Sequence, residues 1–486
     1  MAADGTSPPA PVSPADSRDP LCTPKNTPKS TPRAAGCSIA AVDDVITPLL
    51  RSQCELGLVA PLLCVLFWLT PAAAQPRAGD TQTSVTTKLP ERSVSLPQLL
   101  AYADEHAPLL HLARSQRART VAARARADVL LPSNPELTVA MGPRIERAPT
   151  GLDVEASLMQ ELEISGARNA RRVAASRVHE RTEAEIEQTR WELSCDVREI
   201  FRRALVETQR VTLERQVLSF QGDVLRVVER QIHAGEIGPL SLRLAQAEVA
   251  QAQQLLAAAE QSLFSLRLRL AQLTGWSAAA PPELAGELET PRDPPELQAL
   301  LKQAHAQLPR LRALAARTKE TEAQLTVADR EGWPKPSVGV QYQRESNRAM
   351  EGIYNIVLGA VSLPIPIFQQ NQAARAEARA ELTIAQAEWL AQEQLLSGQI
   401  AQARSELVAA AARMQAYRGE ILPHFAENLR LLARSFELGE IDLLALSAAR
   451  ERFLQIQADA LHAQREYYVA LSELERAIGQ TLQGAP

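Results

Sequence analysis

The sequence of 486 residues is poor in aromatic side chains. Phe, Trp and Tyr together make up 4% of it, although 45% of the residues are hydrophobic. A compact core in a chain of this length would normally contain more aromatic bulk. The dominance of Ala, Leu, Gln, Glu and Arg indicates long helices and coiled coils instead.

Cysteine is scarce as well. Four of the five cysteines lie before residue 75, so only Cys195 falls in the part that is expected to form the mature, folded protein. One cysteine cannot form a disulfide framework within a single mature chain. Because Cys195 lies in a helical pattern, it is predicted to be a small buried side chain.

Motifs of catalysis and ligand binding are missing. The seven histidines form no HxxxH pair and have no neighbouring cysteine, and no GxSxG, P-loop or GxGxxG pattern occurs. The formal net charge of −5 is small and charges of both signs are interspersed, so no nucleic-acid partner is expected. The sequence therefore predicts no enzyme, no cofactor and no resident metal.

The N-terminal region is predicted to lie outside the folded protein. Residues 1–50 are rich in Pro, Ser, Thr and Ala without periodicity, which is typical of a disordered leader. Such a leader before a signal is unusual, so we expect the true start near residues 45–50. Residues 51–74 contain an arginine, an apolar run and three final alanines, the layout of a secretory signal peptide. Residues 75–95 are assigned to a linker.

The apolar run of the signal has two alternative interpretations. A transmembrane anchor is disfavoured by Pro61 and Pro71 and by the small residues at the end of the run. Lipidation of Cys64 is disfavoured because Leu63 precedes it, where a lipoprotein signal would have a small residue.

Most of the remaining chain consists of two similar sequence copies. The tripeptide Gly-Glu-Ile at residues 235–237 recurs at residues 439–441, and the helical pattern that begins at Leu99 recurs from Leu300. Corresponding residues lie 201 to 204 positions apart throughout. This predicts an internal twofold repeat in which each copy has a short helix, a β-hairpin and two long helices. The predicted repeats are residues 96–290 and 291–480, with a tail at 481–486.

Two long segments, residues 168–233 and 371–437, carry a seven-residue hydrophobic repeat. Strict sevens place these side chains along one slowly drifting stripe, so the helices should supercoil left-handedly against their neighbours. A segment of about 65 residues forms a rod of about 100 Å at roughly 1.5 Å per residue. Candidate positions for a bend in the second rod are Gly398, Gly419 and Pro423.

Each predicted hairpin shows period-two alternation. In the first, Leu137, Val139 and Met141 share one face and Thr138 lies on the other. Segments of about nine to eleven residues have the length of a transmembrane β-strand. Four strands cannot close a barrel, and open edges would leave backbone groups unsatisfied in lipid. In a membrane, several chains would therefore have to combine their strands in one barrel. Three chains would supply twelve strands.

Two stretches carry a family resemblance: SLPIPIFQQNQAARAEARAE from Ser362 and LGEIDLLALSAARER from Leu438. Together with the twofold repeat and the hairpins between long helices, they resemble the TolC-type family of outer-membrane efflux proteins. The run PIPIFQQNQ is most similar to the branch that serves cobalt, zinc and cadmium efflux. The resemblance covers about residues 95 to 480.

The resemblance implies a fold and a role. The fold is mainly α with a small β part, in which four transmembrane strands per chain form a trimeric twelve-stranded β-barrel that an α-helical barrel continues. The role is the passive duct of a tripartite efflux system in the outer membrane of a Gram-negative bacterium. The implied partners are two sister chains, outer-membrane lipid, a periplasmic adaptor and an inner-membrane pump of the RND type. Heavy-metal cations are the expected cargo, and organic compounds are the alternative.

The resemblance also assigns a candidate site. In the family the helix tips form the closed periplasmic end and contact the adaptor, and seven residues correspond by position: Gly235, Glu236, Ile237, Gly439, Glu440, Ile441 and Asp442. Their carboxylates have two interpretations, namely helix caps in a solvated loop or trimer-repeated charges that favour cations at the mouth. Two other classes of protein stay open, a periplasmic coiled-coil adaptor and a soluble periplasmic scaffold. Adaptors normally carry one helical hairpin rather than two full repeats.

Overall fold

The structure, a computed structural model, describes most of the chain after residue 92. The described residues are 93–144, 151–235, 238–288, 290–291, 293–347, 352–438, 440–441 and 443–482. The predicted leader and signal peptide, almost all of the predicted linker and the last four residues of the predicted tail lie outside them.

The first half of the described chain contains short helices, a hairpin and two long helices. A short strand, β1 (Ser93–Val94), precedes three helices: α1 (Leu96–His106), α2 (Pro108–Ser115) and α3 (Arg117–Ala127). The hairpin and the long helices follow: β2 (Glu136–Arg144), β3 (Gly151–Glu161), α4 (Ala167–His233) and α5 (Pro239–Thr274). With 67 residues, α4 confirms the first predicted rod.

The second half follows the same order of elements. It begins with β4 (Glu283–Leu284), α6 (Leu297–Gln307) and α7 (Pro309–Glu331). The hairpin consists of β5 (Ser337–Asn347) and β6 (Gly352–Ser362). The long helices are α8 (Gln372–Ala416), α9 (Leu422–Glu437) and α10 (Leu443–Ile478), with a π-helical segment at Tyr417–Ile421 between α8 and α9.

The second rod is irregular near two of the three predicted residues. Gly419 lies inside the π-helical segment and Pro423 is the second residue of α9, whereas Gly398 lies within regular α8. Proline lacks the N–H that would continue the i to i−4 ladder, and a π-bulge accommodates such a break. In the part of the chain that the structure describes, no helix has an apolar stretch long enough to cross a membrane.

Proline also divides the predicted short helix of each half. Pro108 is the first residue of α2 and Pro309 is the first residue of α7, where the missing N–H costs no helical hydrogen bond. The residues before them, Ala107 and Leu308, are extended, which is the conformation that a following proline favours. Each half therefore has two helices around this proline where the sequence predicted one, and in the first half Gln116 separates a third, α3.

The two hairpins form one antiparallel sheet. Its strand order is β2-β3-β5-β6, and the central pairing joins β3 of the first half to β5 of the second half. The four strands have nine to eleven residues, as the sequence predicted. Within the described residues, β2 pairs only with β3 and β6 pairs only with β5, so each has one edge without a neighbouring strand.

A second, two-stranded sheet was not predicted. Strand β1 pairs in parallel with β4, so that Ser93 lies opposite Glu283 and Val94 opposite Leu284. The pair fastens the start of the first half to the segment that leads into the second half. Strands of two residues are too short to show a period-two pattern.

Each half has its own hydrophobic core at equivalent positions. In the first half α1 contributes Leu99 and Ala103, which pack with Val197, Ile200 and Leu270 of the long helices. In the second half Leu300 and Ala304 pack in the same way with Leu407, Tyr467 and Leu474. The pairs Leu99/Leu300 and Ala103/Ala304 are those that the aligned sequence halves bring together.

Candidate functional site: sheet faces and helix tips

One face of the four-stranded sheet is apolar. The register pairs Leu137 with Leu158, and Leu158 with Val340, so these side chains form one row across three strands. Leu137 is 59% exposed, and Met141 and Val361 on the same face are exposed as well. The alternation predicted for the hairpins is confirmed. An exposed apolar face of this extent indicates an apolar environment in the assembled protein.

The opposite face carries the carboxylates of the described strand residues: Glu136, Asp153, Glu155, Glu161 and Glu345. The Gln341 side chain donates a hydrogen bond to Glu155 across β5 and β3. Strand β6 departs from the pattern, because Tyr354, Ile356 and Leu358 place apolar side chains on this face. On β2, β3 and β5, one face therefore suits lipid and the other suits water.

Where the strands meet the helices, exposed apolar side chains form a collar. Its members lie before β2, after β3, before β5 and after β6, all at the same end of the sheet. They are Leu130, Leu131, Ile164, Trp333, Leu363, Ile365, Ile367 and Phe368. Phe368 is 86% exposed. Aromatic side chains at such a boundary are typical of the girdle at a membrane interface.

Ion pairs hold the junction below this collar. The Arg171 guanidinium donates to both carboxylate oxygens of Glu163 at 2.8 Å and to Glu331 at 3.3 Å, which links the two halves. Hydrogen bonding to Glu163 raises the pKa of Arg171. In the second half, Arg375 donates to Asp329 at 2.6 Å. These contacts fix the direction in which the long helices leave the sheet.

The first helix tip follows His233. Gly235 has a φ of +75°, in the left-handed region that glycine adopts most readily, and its N–H donates to the carbonyl of Ile232 at 2.9 Å. Helix α5 then starts with Pro239 at its first position. The structure therefore places Gly235 in the turn, as predicted, whereas Glu236 and Ile237 lie outside the described residues.

The second helix tip lies between Glu437 and Leu443. The backbone N–H of Glu440 donates to the carbonyl of Ser435 at 2.9 Å, which closes the end of α9. Glu440 is exposed and Ile441 is half-buried. Gly439 and Asp442 lie outside the described residues, so the role of these tip carboxylates stays a prediction.

A buried ion pair that the sequence did not reveal joins α4 to α10. The Arg202 guanidinium donates to Glu475 at 2.7 Å and to the hydroxyl of Ser472 at 3.1 Å. The side chains of Arg202 and Glu475 are only 5% and 2% exposed. The backbone N–H of Leu482 also donates to Glu475 at 3.2 Å. Two buried charges with several hydrogen bonds lock the two halves in one relative position.

Sequence comparison gives the family of this arrangement. The family model described as outer membrane efflux protein matches residues 108–276 and again residues 300–480, well over half of the chain. The chain belongs to this family. Each of the two matches covers a hairpin together with long helices of this efflux protein.

The efflux protein is similar to curated and solved relatives. It is 27% identical over 329 residues to the cobalt-zinc-cadmium resistance protein CzcC of Cupriavidus metallidurans, covering 66% of this chain and 75% of CzcC. Its structure is similar to the outer membrane protein VceC of Vibrio cholerae, with a TM-score of 0.61, 16% identity, and coverage of 80% of this chain and 97% of VceC. It is also similar to CusC, with a TM-score of 0.60, 15% identity, and coverage of 79% and 92%.

These similarities establish the family and the fold of the efflux protein. It is an outer membrane efflux protein with a mainly helical fold and a small sheet part, similar to the fold of the solved TolC-like structures. The family assignment favours this class over the adaptor and scaffold alternatives. The relatives are channels and efflux proteins rather than enzymes.

The helices of the efflux protein also line a polar cavity of about 610 Å³ between α4, α8 and α10 that is open to solvent. Glu199, Glu406 and Glu473 line it together with arginines. Glu473 is exposed, but partial desolvation by the packed helices raises its pKa, and the neighbouring carboxylates of Glu406 and Glu199 raise it further. Among the residues that the structure describes, no group of three or more His, Cys, Asp or Glu side chains is arranged to hold a metal ion.

Proposed function

We propose that three copies of the chain form a homotrimer in which the sheets join into one twelve-stranded β-barrel. The observation that carries the proposal is the sheet itself, which has an exposed apolar face and, among the described residues, outer edges on β2 and β6 that pair with no further strand. In lipid, the N–H and C=O groups of such edges need partners, and strands of sister chains can supply them. A barrel of twelve strands is wide enough for a lumen.

The long helices would continue the barrel as a duct. At roughly 1.5 Å per residue, α4 reaches about 100 Å from the sheet. Two copies of the same layout, residues 96–290 and 291–480, would give each chain two helical hairpins in the wall of this duct. The equivalent cores of the two halves and the two separate family matches support this division.

The far tips would dock onto a periplasmic adaptor and an inner-membrane pump of the RND type. The tip residues proposed for docking and for the aperture are Gly235, Glu236, Ile237, Gly439, Glu440, Ile441 and Asp442. The left-handed Gly235 and the short second turn support their place at helix reversals. The energy for transport would come from the pump, since the channel itself is a passive duct.

Heavy-metal cations are the proposed cargo. The support is the similarity to CzcC, a cobalt-zinc-cadmium resistance protein, over two thirds of the chain. The carboxylates on the polar face of the sheet are compatible with it, because a lumen lined by acidic side chains favours cations. Organic compounds are the other outcome that a cargo test would distinguish.

The channel is tested with purified protein in detergent and in planar bilayers. We expect a heat-sensitive trimer that inserts and conducts ions, since the apolar faces are covered only when sister chains and lipid surround them. A water-soluble monomer without detergent would contradict the proposal. The cargo is tested by deleting the gene and measuring growth on zinc, cobalt, cadmium and cationic dyes. Metal sensitivity supports metal export, and dye sensitivity alone would assign organic cargo instead.

A further inference from the structure

Arg344 is a charged residue on the apolar face of the sheet. It lies on β5 in the same alternation as Val338, Val340 and Tyr342, and its side chain is exposed. The register places it between Val154 of β3 and Asn355 of β6. Among the described strand residues, Arg344 is the one cation on this face, and no carboxylate shares the face with it.

The neighbouring side chains add a second hydrogen-bond donor. The Tyr342 hydroxyl donates to Oδ1 of Asn355 at 2.7 Å. This bond occupies the acceptor of the Asn355 amide and leaves its NH₂ group available. Since Arg344 and Asn355 are directly opposite on adjacent strands, their side chains lie within about 5.5 Å of each other at Cβ. Together they present a guanidinium and an amide donor.

The position of Arg344 along β5 determines its depth in a membrane. From Ser337, at the helical end, the strand advances about 23 Å to Arg344 at roughly 3.3 Å per residue, and a strand tilted by about 40° rises about 18 Å along the membrane normal over that length. The apolar band of an outer-membrane barrel is about 25 Å tall. Arg344 therefore lies in the outer third of the band, on the side away from the helices, and its long side chain can extend to the margin. The cost of an arginine on the lipid face falls from the midplane to this margin.

We propose that Arg344 and Asn355 bind the phosphate of a lipid in the outer leaflet. The inference rests on the proposed function, because it needs the apolar face of the sheet to contact lipid and the helices to extend into the periplasm. A guanidinium binds phosphate through two parallel hydrogen bonds, and this pairing is stronger where water is scarce. The carboxylates of the described strand residues lie on the other face, so none of them competes with phosphate for the cation.

The experiment measures lipid retained by the purified trimer. Trimers are reconstituted in phosphatidylcholine vesicles that contain lipid A with its phosphates or the same lipid A after their removal, then re-extracted and passed through a sizing column. Bound lipid A is quantified by mass spectrometry. We expect the wild type to retain the phosphorylated form preferentially, and Arg344→Gln to retain about tenfold less of it.

Three further variants sharpen the test. Arg344→Lys keeps the charge but loses the bidentate geometry, and should retain an intermediate amount. Asn355→Ala should weaken retention less than Arg344→Gln. Glu345→Gln changes the charge of the adjacent residue on the other face, and should leave retention unchanged. Each variant is also tested for trimer formation and conductance, so that a folding defect is recognised.

The outcomes separate the two proposals. If the wild type forms no conducting trimer, the proposed function fails. If it conducts but retains both forms of lipid A equally, or if Arg344→Gln retains as much as the wild type, only the lipid inference is overturned.

Discussion

Gly479 packs directly against the backbone of Leu308. A Cβ atom on Gly479 would lie 2.7 Å from Cα of Leu308, and its φ is +77°. The first half repeats this relationship, because a Cβ atom on Gly275, with a φ of +78°, would lie 2.3 Å from the carbonyl oxygen of His106. In each half, the glycine that ends the last long helix allows the backbone there to pack closely against the turn that follows the first short helix.

Gly479→Ala is therefore expected to destabilise the protein by about 2 kcal/mol or more, because it combines an unfavourable φ with a backbone clash. The midpoint of urea unfolding in detergent measures the change. Gly398→Ala is the matched control, since a Cβ there meets nothing within 4 Å and the residue is in regular helix. The control should be neutral or stabilise by up to about 1 kcal/mol. Equal effects of both variants would contradict the prediction.

The buried pair of Arg202 and Glu475 gives a second prediction. Glu475→Gln leaves the Arg202 charge buried without its carboxylate and should cost about 3 to 5 kcal/mol. The double variant Arg202→Met/Glu475→Leu should be clearly less harmful, because both charges are removed together. Unfolding of detergent-solubilised protein measures both. Glu427→Gln breaks the exposed pair with Arg430 and should have little effect. A harmless Glu475→Gln would show that the pair adds nothing to stability.

The polar cavity predicts a dependence of stability on pH. The pKa of Glu473 is raised above its ordinary value of 4.5, chiefly by partial desolvation, so the folded protein binds this proton more tightly than the unfolded chain. The contribution to stability is therefore full below 4.5 and is lost as the pH rises through the raised pKa. Arg203, Arg413, Arg465 and Arg476 around the carboxylates limit the effect.

Glu473→Gln should thus raise stability at neutral pH and flatten the stability profile just above pH 4.5. Thermal unfolding of the trimer across this range measures it. Glu451→Gln, on the exposed surface of α10, serves as the control and should leave the profile unchanged. A profile that keeps its slope in Glu473→Gln would assign the titration to another group.

The apolar face of the sheet predicts a strong asymmetry between neighbouring positions. Val340→Arg places a charge on the lipid side, which costs about 2 to 4 kcal/mol near the bilayer midplane. Gln343→Arg places the same charge on the other face, opposite Glu155, and should be tolerated. The yield of heat-sensitive trimer in the outer-membrane fraction measures both. Loss of trimer in Gln343→Arg but not in Val340→Arg would reverse the assignment of the faces.

The tip carboxylates give the fifth prediction. Asp442→Ala should raise conductance or alter cation preference in planar bilayers, since it removes three symmetry-related charges from the proposed mouth. Glu451→Gln, which changes an acidic residue of α10 away from the tip, is the control. Unchanged conductance and selectivity in Asp442→Ala would confine this residue to helix capping or to docking.

Local patterns in the sequence determined much of this protein. The pleat of a strand has period two, so Leu137, Val139 and Met141 could be assigned to one face without knowledge of their partners. Seven-residue repeats predicted the long helices because a helix also places side chains on one face at a fixed period. Helix α4 begins one residue before the predicted start. The repeated Gly-Glu-Ile predicted two tips, and the structure places Gly235 and Glu440 in turns between long helices.

Only the tertiary structure decided the contacts between distant residues. The ion pair of Arg202 with Glu475 joins positions 273 residues apart. The pairing of β1 with β4 and the contact of Gly479 with Leu308 also join distant positions. On α5 a buried line is formed by Ala245, Ala252 and Ala259, whereas the larger side chains of Leu242, Val249 and Leu256, also seven residues apart, are half-buried. Periodicity specifies which side chains lie on the same face. The packing of whole helices decides which face is buried and which neighbouring helix buries it.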